Sequence, residues 1–258
     1  MRILMTIASG AALAALSGSV VAAQDANETA ASRSYPLDGF DRIAVIGPHH
    51  VIVSVGPTFS IRAEGSQQTF ADTIVEVEDG KLKIHPIDDG RWEERCGARR
   101  ESENWRCSND YEAATFHITL PRIEGAQVVG GGDMRIDRVH GDDFAASVAG
   151  SGDLQVADLR VAVARLSVAG SGDLTARGSA TRSRVSIAGS GNLHAREVTS
   201  NEASITIAGS GNAELTVHED ARVSIVGSGD VDITGSARCS VSRFGAGKVR
   251  CGGQNIAS

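Results

Sequence analysis

The sequence predicts an all-β fold: a single-stranded parallel β-helix with an irregular N-terminal β cap. Right-handed winding is the default for parallel connections. Two observations carry the prediction. A tetrapeptide recurs at a near-constant period, and on both sides of each copy the apolar residues fall on alternate positions. The copies are Gly130-Gly131-Gly132-Asp133, Gly150-Ser151-Gly152-Asp153, Gly170-Ser171-Gly172-Asp173, Gly189-Ser190-Gly191-Asn192, Gly209-Ser210-Gly211-Asn212 and Gly227-Ser228-Gly229-Asp230. A degenerate last copy is Gly245-Ala246-Gly247-Lys248. Their first glycines lie 20, 20, 19, 20, 18 and 18 residues apart, a solenoid period.

Aligned on the first glycine, position −4 holds Ala126, Ala146, Leu166, Val185, Ile205, Val223 and Val241. Position −2 holds Val128, Val148, Val168, Ile187, Ile207 and Ile225, with Arg243 breaking the series. Positions +4 and +6 are equally apolar, from Met134 and Ile136 to Val249 and Cys251. This is the strand period with one face buried. The structural corner between the two strands rests on Gly150, Gly152, Gly170, Gly172, Gly189, Gly191, Gly209, Gly211, Gly227 and Gly229. Glycine permits positive φ or close backbone approach, and Asp or Asn bonds its own backbone. Each copy therefore reads as strand, corner, strand and a looser third side. One coil has no core alone, so stacking must bury the aliphatic columns.

From the start of the chain, residues 1–23 read as a secretory signal. Arg2 opens it, a short apolar core follows, and Val21-Ala22-Ala23 fits a cleavage site. No Cys follows that site to carry a lipid, and no later apolar run is long enough to span a bilayer. The mature chain is expected to be exported, periplasmic or extracellular. Losing Arg2 takes the formal charge from −7 to −8, which argues against nucleic acid or an anionic membrane surface as a partner. Residues 24–34 are small and polar and read as a disordered leader, so the folded domain is expected at 35–258.

Within 35–125, strands are expected at 42–46, 51–55, 60–64, 74–77 and 81–84, with a short helical turn inside 64–72. Gly47-Pro48, Gly56-Pro57 and Asp79-Gly80 punctuate them. Residues 85–110 are charged and carry Trp92, Trp105, Cys96 and Cys107. They read as an insertion closed by a Cys96–Cys107 disulfide, which an oxidising compartment favours. The two Trp residues either offer a recognition surface or pack on the solenoid. Residues 115–120 alternate again, and regular coils occupy 126–258. There the only aromatics are Phe144 and Phe244, so the lumen is filled by aliphatics and no Trp or Tyr lines a sugar-binding face. A second disulfide, Cys239–Cys251, is expected to join adjacent coils across the last corner.

The repeated Ala-Gly-Ser-Gly-Asp/Asn-Leu unit, following a segment such as Phe40-Asp41-Arg42-Ile43-Ala44-Val45, resembles the GIN domain family. That family is named for autotransporter adhesin heads and is also known as a domain of unknown function. The resemblance runs from about Tyr35 to the C-terminus. It implies a β-helical envelope or secreted protein and transfers no catalytic residue. The Cys-containing segment 91–107 departs from the family pattern.

Asp133, Asp153 and Asp173 should stack at roughly one strand spacing. Adjacent carboxylates repel unless a cation or backbone N–H groups take the charge. Calcium is therefore one reading of the column and turn chemistry the other; the nine-residue period of calcium β-rolls is absent. No Ser-His-Asp or Cys-His set stands out, and Cys96 and Cys107 lack further ligands at zinc spacing, so no cofactor is expected. The function read from sequence is an exported, non-catalytic module binding a cell-surface glycan or envelope protein. The alternatives are a β-helical polysaccharide-processing enzyme and a passive scaffold. The outer surface discriminates: a groove of converging Asp and Arg favours an enzyme, a flat ladder of Ser, Thr and Arg a binding module.

Overall fold

The computed structural model describes residues 31–87 and 112–256. Trp92, Trp105, Cys96, Cys107 and the expected signal segment lie outside the described residues.

The regular coils are built from five long strands: β10 (Val139–Gly150), β11 (Leu154–Gly170), β12 (Leu174–Gly189), β13 (Leu193–Gly209) and β14 (Ala213–Gly227). Each pairs with the next in parallel, and the first glycines stack in register, Gly150 on Gly170 on Gly189 on Gly209 on Gly227. The stack is a parallel β-helix, as the sequence predicts. Side A leads into the Gly corner, side B leaves it, and side C closes the coil. Every predicted inward column on sides A and B is buried from Ala126 to Val231, and the Val, Leu and Ile members are each worth roughly 1.5–3 kcal/mol of transfer.

Side C is more ordered than the looser connection expected from sequence. It continues as strand and adds buried Leu159, Val198 and Val217, together with a hydrogen-bonded Ser183–Ser200 pair (2.7 Å). The ladder slips where side B gives way to side C, between Val156 and Leu159 and again between Thr175 and Gly178. These slips absorb the variation in coil length.

The N-terminal third winds out of chain order. β2 (Arg42–Ile46) and β3 (His50–Val55) make a coil directly beneath β8 (Gly125–Gly130) and β9 (Asp133–Ile136). β6 (Lys81–Pro86) and β7 (Thr115–Leu120) come later in the chain yet stack below β2 and β3. Antiparallel strands close that end: β5 (Thr73–Glu78) on β6, β4 (Ser60–Gly65) on β7, and β1 (Ala31–Ser34) on β4. Antiparallel pairing stops the coil from propagating, and Phe40, Phe70 and Phe116 plug its lumen. The helical turn is α1 (Gln67–Ala71), capped by the Ser66 side chain accepting from the Thr69 N–H. The leader reading of 24–34 is corrected at its end: Ala31–Ser34 pair with Arg62–Gly65 and are strand.

At the other end, β15 (Val231–Thr234), β16 (Arg238–Gly245), β17 (Val249–Cys251) and β18 (Gln254–Asn255) form the last coil and a short antiparallel closure. The Cys239–Cys251 disulfide is present, with Cα atoms 6.4 Å apart. Cys239 stacks on Ala221 and Cys251 on Ile233, so the bond spans one terminal coil around its corner and does not join two coils. Twelve residues are fewer than one coil, which is why the two cysteines share it.

Candidate binding surface

The corners set the geometry of the outer faces. At the first position φ is positive, from +107° at Gly130 to +134° at Gly209, which L side chains rarely adopt. The third position needs glycine for another reason. A Cβ on Gly172 would overlap the Gly152 carbonyl oxygen of the coil beneath. The fourth-position side chains form a ladder: the Asp173 N–H donates to Asp153 Oδ1 (2.9 Å), the Asn192 N–H to Asp173 Oδ1 (2.9 Å) and the Lys248 N–H to Asp230 Oδ1 (2.7 Å). Each carboxylate thus takes a backbone N–H from the next coil. Among the described residues no three His, Cys, Asp or Glu side chains gather as a metal would require, so Asp133, Asp153 and Asp173 stack without forming such a cluster.

Side A's outer surface has three columns. Position −3 carries Ser147, Ser167, Ser186, Thr206, Ser224 and Ser242. Position −1 carries Ala149, Ala169, Ala188 and Ala208, with Ile46 and Val129 below and Val226 and Phe244 above. Position −5 carries Arg42 at the bottom and Arg165, Arg184 and Arg222 higher up. No Asp or Glu occurs in these columns. The acids on the neighbouring edge are tied down: Asp143 to Arg165 (2.6 Å), Glu202 to Arg182 (3.0 Å) and Asp220 to Arg238 (3.0 Å). Arg184 and Arg222 make no ion pair with any described residue. A shallow groove of about 390 Å³ runs between the Arg and Ser columns from Ala145 to Thr206, across four coils. Phe244 is 78% exposed and ends the apolar column, while Phe144 is buried in the lumen.

Side B differs. Its grooves are lined by charge, one of about 230 Å³ by Asp133, Asp153, Asp173, Arg135 and His194. The other, of about 530 Å³, meets Glu214, Asp230, Asp232, Lys248 and Arg250. Arg196 holds Glu214 (3.2 Å) and Asp232 (2.7 Å), and these two carboxylates hold the guanidinium protonated above its ordinary range.

The sequence reading missed two features. The Ser and Ala columns were visible in the same alignment that exposed the core, at the odd positions between the buried ones. His49 gave a weaker signal. It occupies the third corner position of Gly47-Pro48-His49, beneath Gly132, and is 1% exposed. The Ala114 N–H donates to its Nδ1 (3.3 Å), so Nε2 carries the proton toward Thr73 Oγ1 (3.4 Å). Burial first, and the nearby His50 second, push its pKa down to about 4.

Among the described residues no helix is long and apolar enough to cross a membrane. The family described as "Putative auto-transporter adhesin, head GIN domain" matches residues 39–237. Among solved structures, a Bacteroides fragilis protein named "putative adhesin" superposes with TM-score 0.73 at 20% identity, over 86% of this chain and 96% of its own. A Parabacteroides distasonis protein named "putative lipid binding protein" gives 0.65 at 21%, over 86% and 96%. A "putative adhesin" from Parabacteroides merdae gives 0.64 at 17%, with the same coverage. No curated protein matches the chain. At these identities the structures establish the fold, and the family match over most of the length establishes kinship: the chain belongs to the GIN domain family.

Proposed function

We propose that this protein is an exported, non-catalytic adhesive module whose contact surface is the outer face of side A. The observation that carries this is the flat Ser/Thr ladder flanked by alanines and by arginines, of which Arg184 and Arg222 make no ion pair with any described residue. It is a continuous outward surface, half-buried at Ser147 and Ser167 and exposed from Ser186 to Ser242, that the fold itself does not require, because only the inward positions build the core. The adhesin names of the family and of two neighbours agree with the reading. The secretory reading of residues 1–23 supplies the route out of the cell.

The enzyme alternative would centre on the larger side-B groove. In that groove Glu214 and Asp232 pair with Arg196, and Asp230 accepts the Lys248 N–H. The Trp92–Trp105 segment remains part of the proposal as a second contact region.

The test is capture from a cell-envelope extract by the mature protein, beside an Ala188→Trp/Ala208→Trp variant and a Trp92→Ala/Trp105→Ala variant. Loss of capture in the first supports side A as the contact face. Loss in the second alone moves the contact to the insertion. No capture by any form leaves the passive scaffold, and turnover of acidic polysaccharide by the wild type would establish the enzyme.

A further inference from the structure

Side A's outer face is acid-free in a chain whose formal net charge is −7. Charge complementarity therefore selects a partner carrying negative charge. The rungs repeat at roughly 4.8 Å, so a linear polymer laid along the axis meets the same side chains again in each coil. The groove between Arg184 and Ser186 runs in that direction, spanning coils from Ala145 to Thr206. That groove, of about 390 Å³, is shallow, unlike the pockets that take the aromatic and arginine anchors of protein interfaces. The face offers hydroxyls, which donate and accept like those of a sugar, beside a strip of methyl groups that the C–H face of a sugar ring can cover. Phe244 provides one exposed ring at the end of that strip.

We propose that side A binds an acidic polysaccharide lying along the solenoid axis. Its carboxylate or sulfate groups sit on Arg184 and Arg222, and its hydroxyls on the Ser/Thr column. This rests on the reading of side A as the contact face and adds the ligand class. Each contact is weak and exposed, and affinity accumulates by repetition along the polymer.

The experiment is a binding titration of the mature protein with polygalacturonate, with dextran as the neutral control, phosphatidylglycerol vesicles as the headgroup control, and an envelope fraction alongside. The key variant is Arg184→Glu/Arg222→Glu, checked by circular dichroism and melting temperature to be folded. The expected result is binding to polygalacturonate and not to dextran. The double variant should bind at least about tenfold more weakly, and the wild type should weaken as NaCl rises from about 0.05 to about 0.5 M. Three results overturn the inference but keep side A as a contact face: equal binding by the variant, preference for dextran, or binding to vesicles alone, in each case with envelope capture still lost in Ala188→Trp/Ala208→Trp. Failure of the wild type to bind any probe or the envelope fraction overturns both.

Discussion

The first corner of the solenoid and the regular corners above it solve the same turn with different residues. In the regular coils the third position is always glycine. In the first coil it is His49, directly beneath Gly132. The first position is glycine in both, with φ +114° at Gly47 and +127° at Gly170. The difference separates two demands that look alike in sequence. Glycine at the first position answers the backbone conformation of the turn. Glycine at the third answers the coil below, whose carbonyl leaves no room for a Cβ. Among the described residues no stacked glycine corner lies beneath the first coil, where β6 ends at Pro86 and β7 begins at Thr115. His49 fills that space and ties the coil to Thr73 and Ala114 of the cap.

That comparison can be broken most sharply at the third position. Gly172→Ala should cost about 3 kcal/mol or more, because the clash is with backbone that has nowhere to move. His49→Ala should cost less, and a urea-denaturation series on the two variants measures the gap. At the fourth position, Asp173→Ala removes the acceptor for both the N–H and the Nδ2 of Asn192 (2.9 and 3.0 Å). The expected loss is about 1–2 kcal/mol on the same urea scale, with Asp173→Asn restoring most of it.

The buried histidine adds a pH dependence that the glycine corners lack. Its folded pKa of about 4 lies below the ordinary 6.5, so above pH 6.5 it is neutral in both states and its contribution is complete. As pH falls from 6.5 toward 4, the unfolded chain takes up a proton that the folded chain refuses, and stability declines. Urea midpoints between those limits should fall more steeply for the wild type than for His49→Gln. The smallest effect belongs to the second position: Ser190 is exposed, and Ser190→Ala should change stability by less than about 0.5 kcal/mol.

The corners and four inward columns were legible because a fixed period keeps them in phase. Side C was not. The slips at Val156/Leu159 and Thr175/Gly178 move its residues out of alignment before Leu159 and Val198 reach the lumen. The winding order of the N-terminal third was hidden too. β6 and β7 lie below β2 and β3 through long-range pairing, and local alternation reveals strands but not partners. The disulfide was legible as a pair and not as a geometry, because 12 residues fall short of a full coil. The Ser and Ala columns of side A stand at the odd positions of the same repeat, between the residues that the core requires.

What the faces share is the coil, and what separates them is outward chemistry alone, acid-free on side A and carboxylate-rich on side B. Side A is the proposed contact face. Its most direct test is a pair of single-site fluorophores, placed by Ser186→Cys on side A and Thr175→Cys on side B, in protein titrated with polygalacturonate. The prediction is an emission change at position 186 that saturates with ligand, and a flat response at 175. A change at 175 with none at 186 would contradict it.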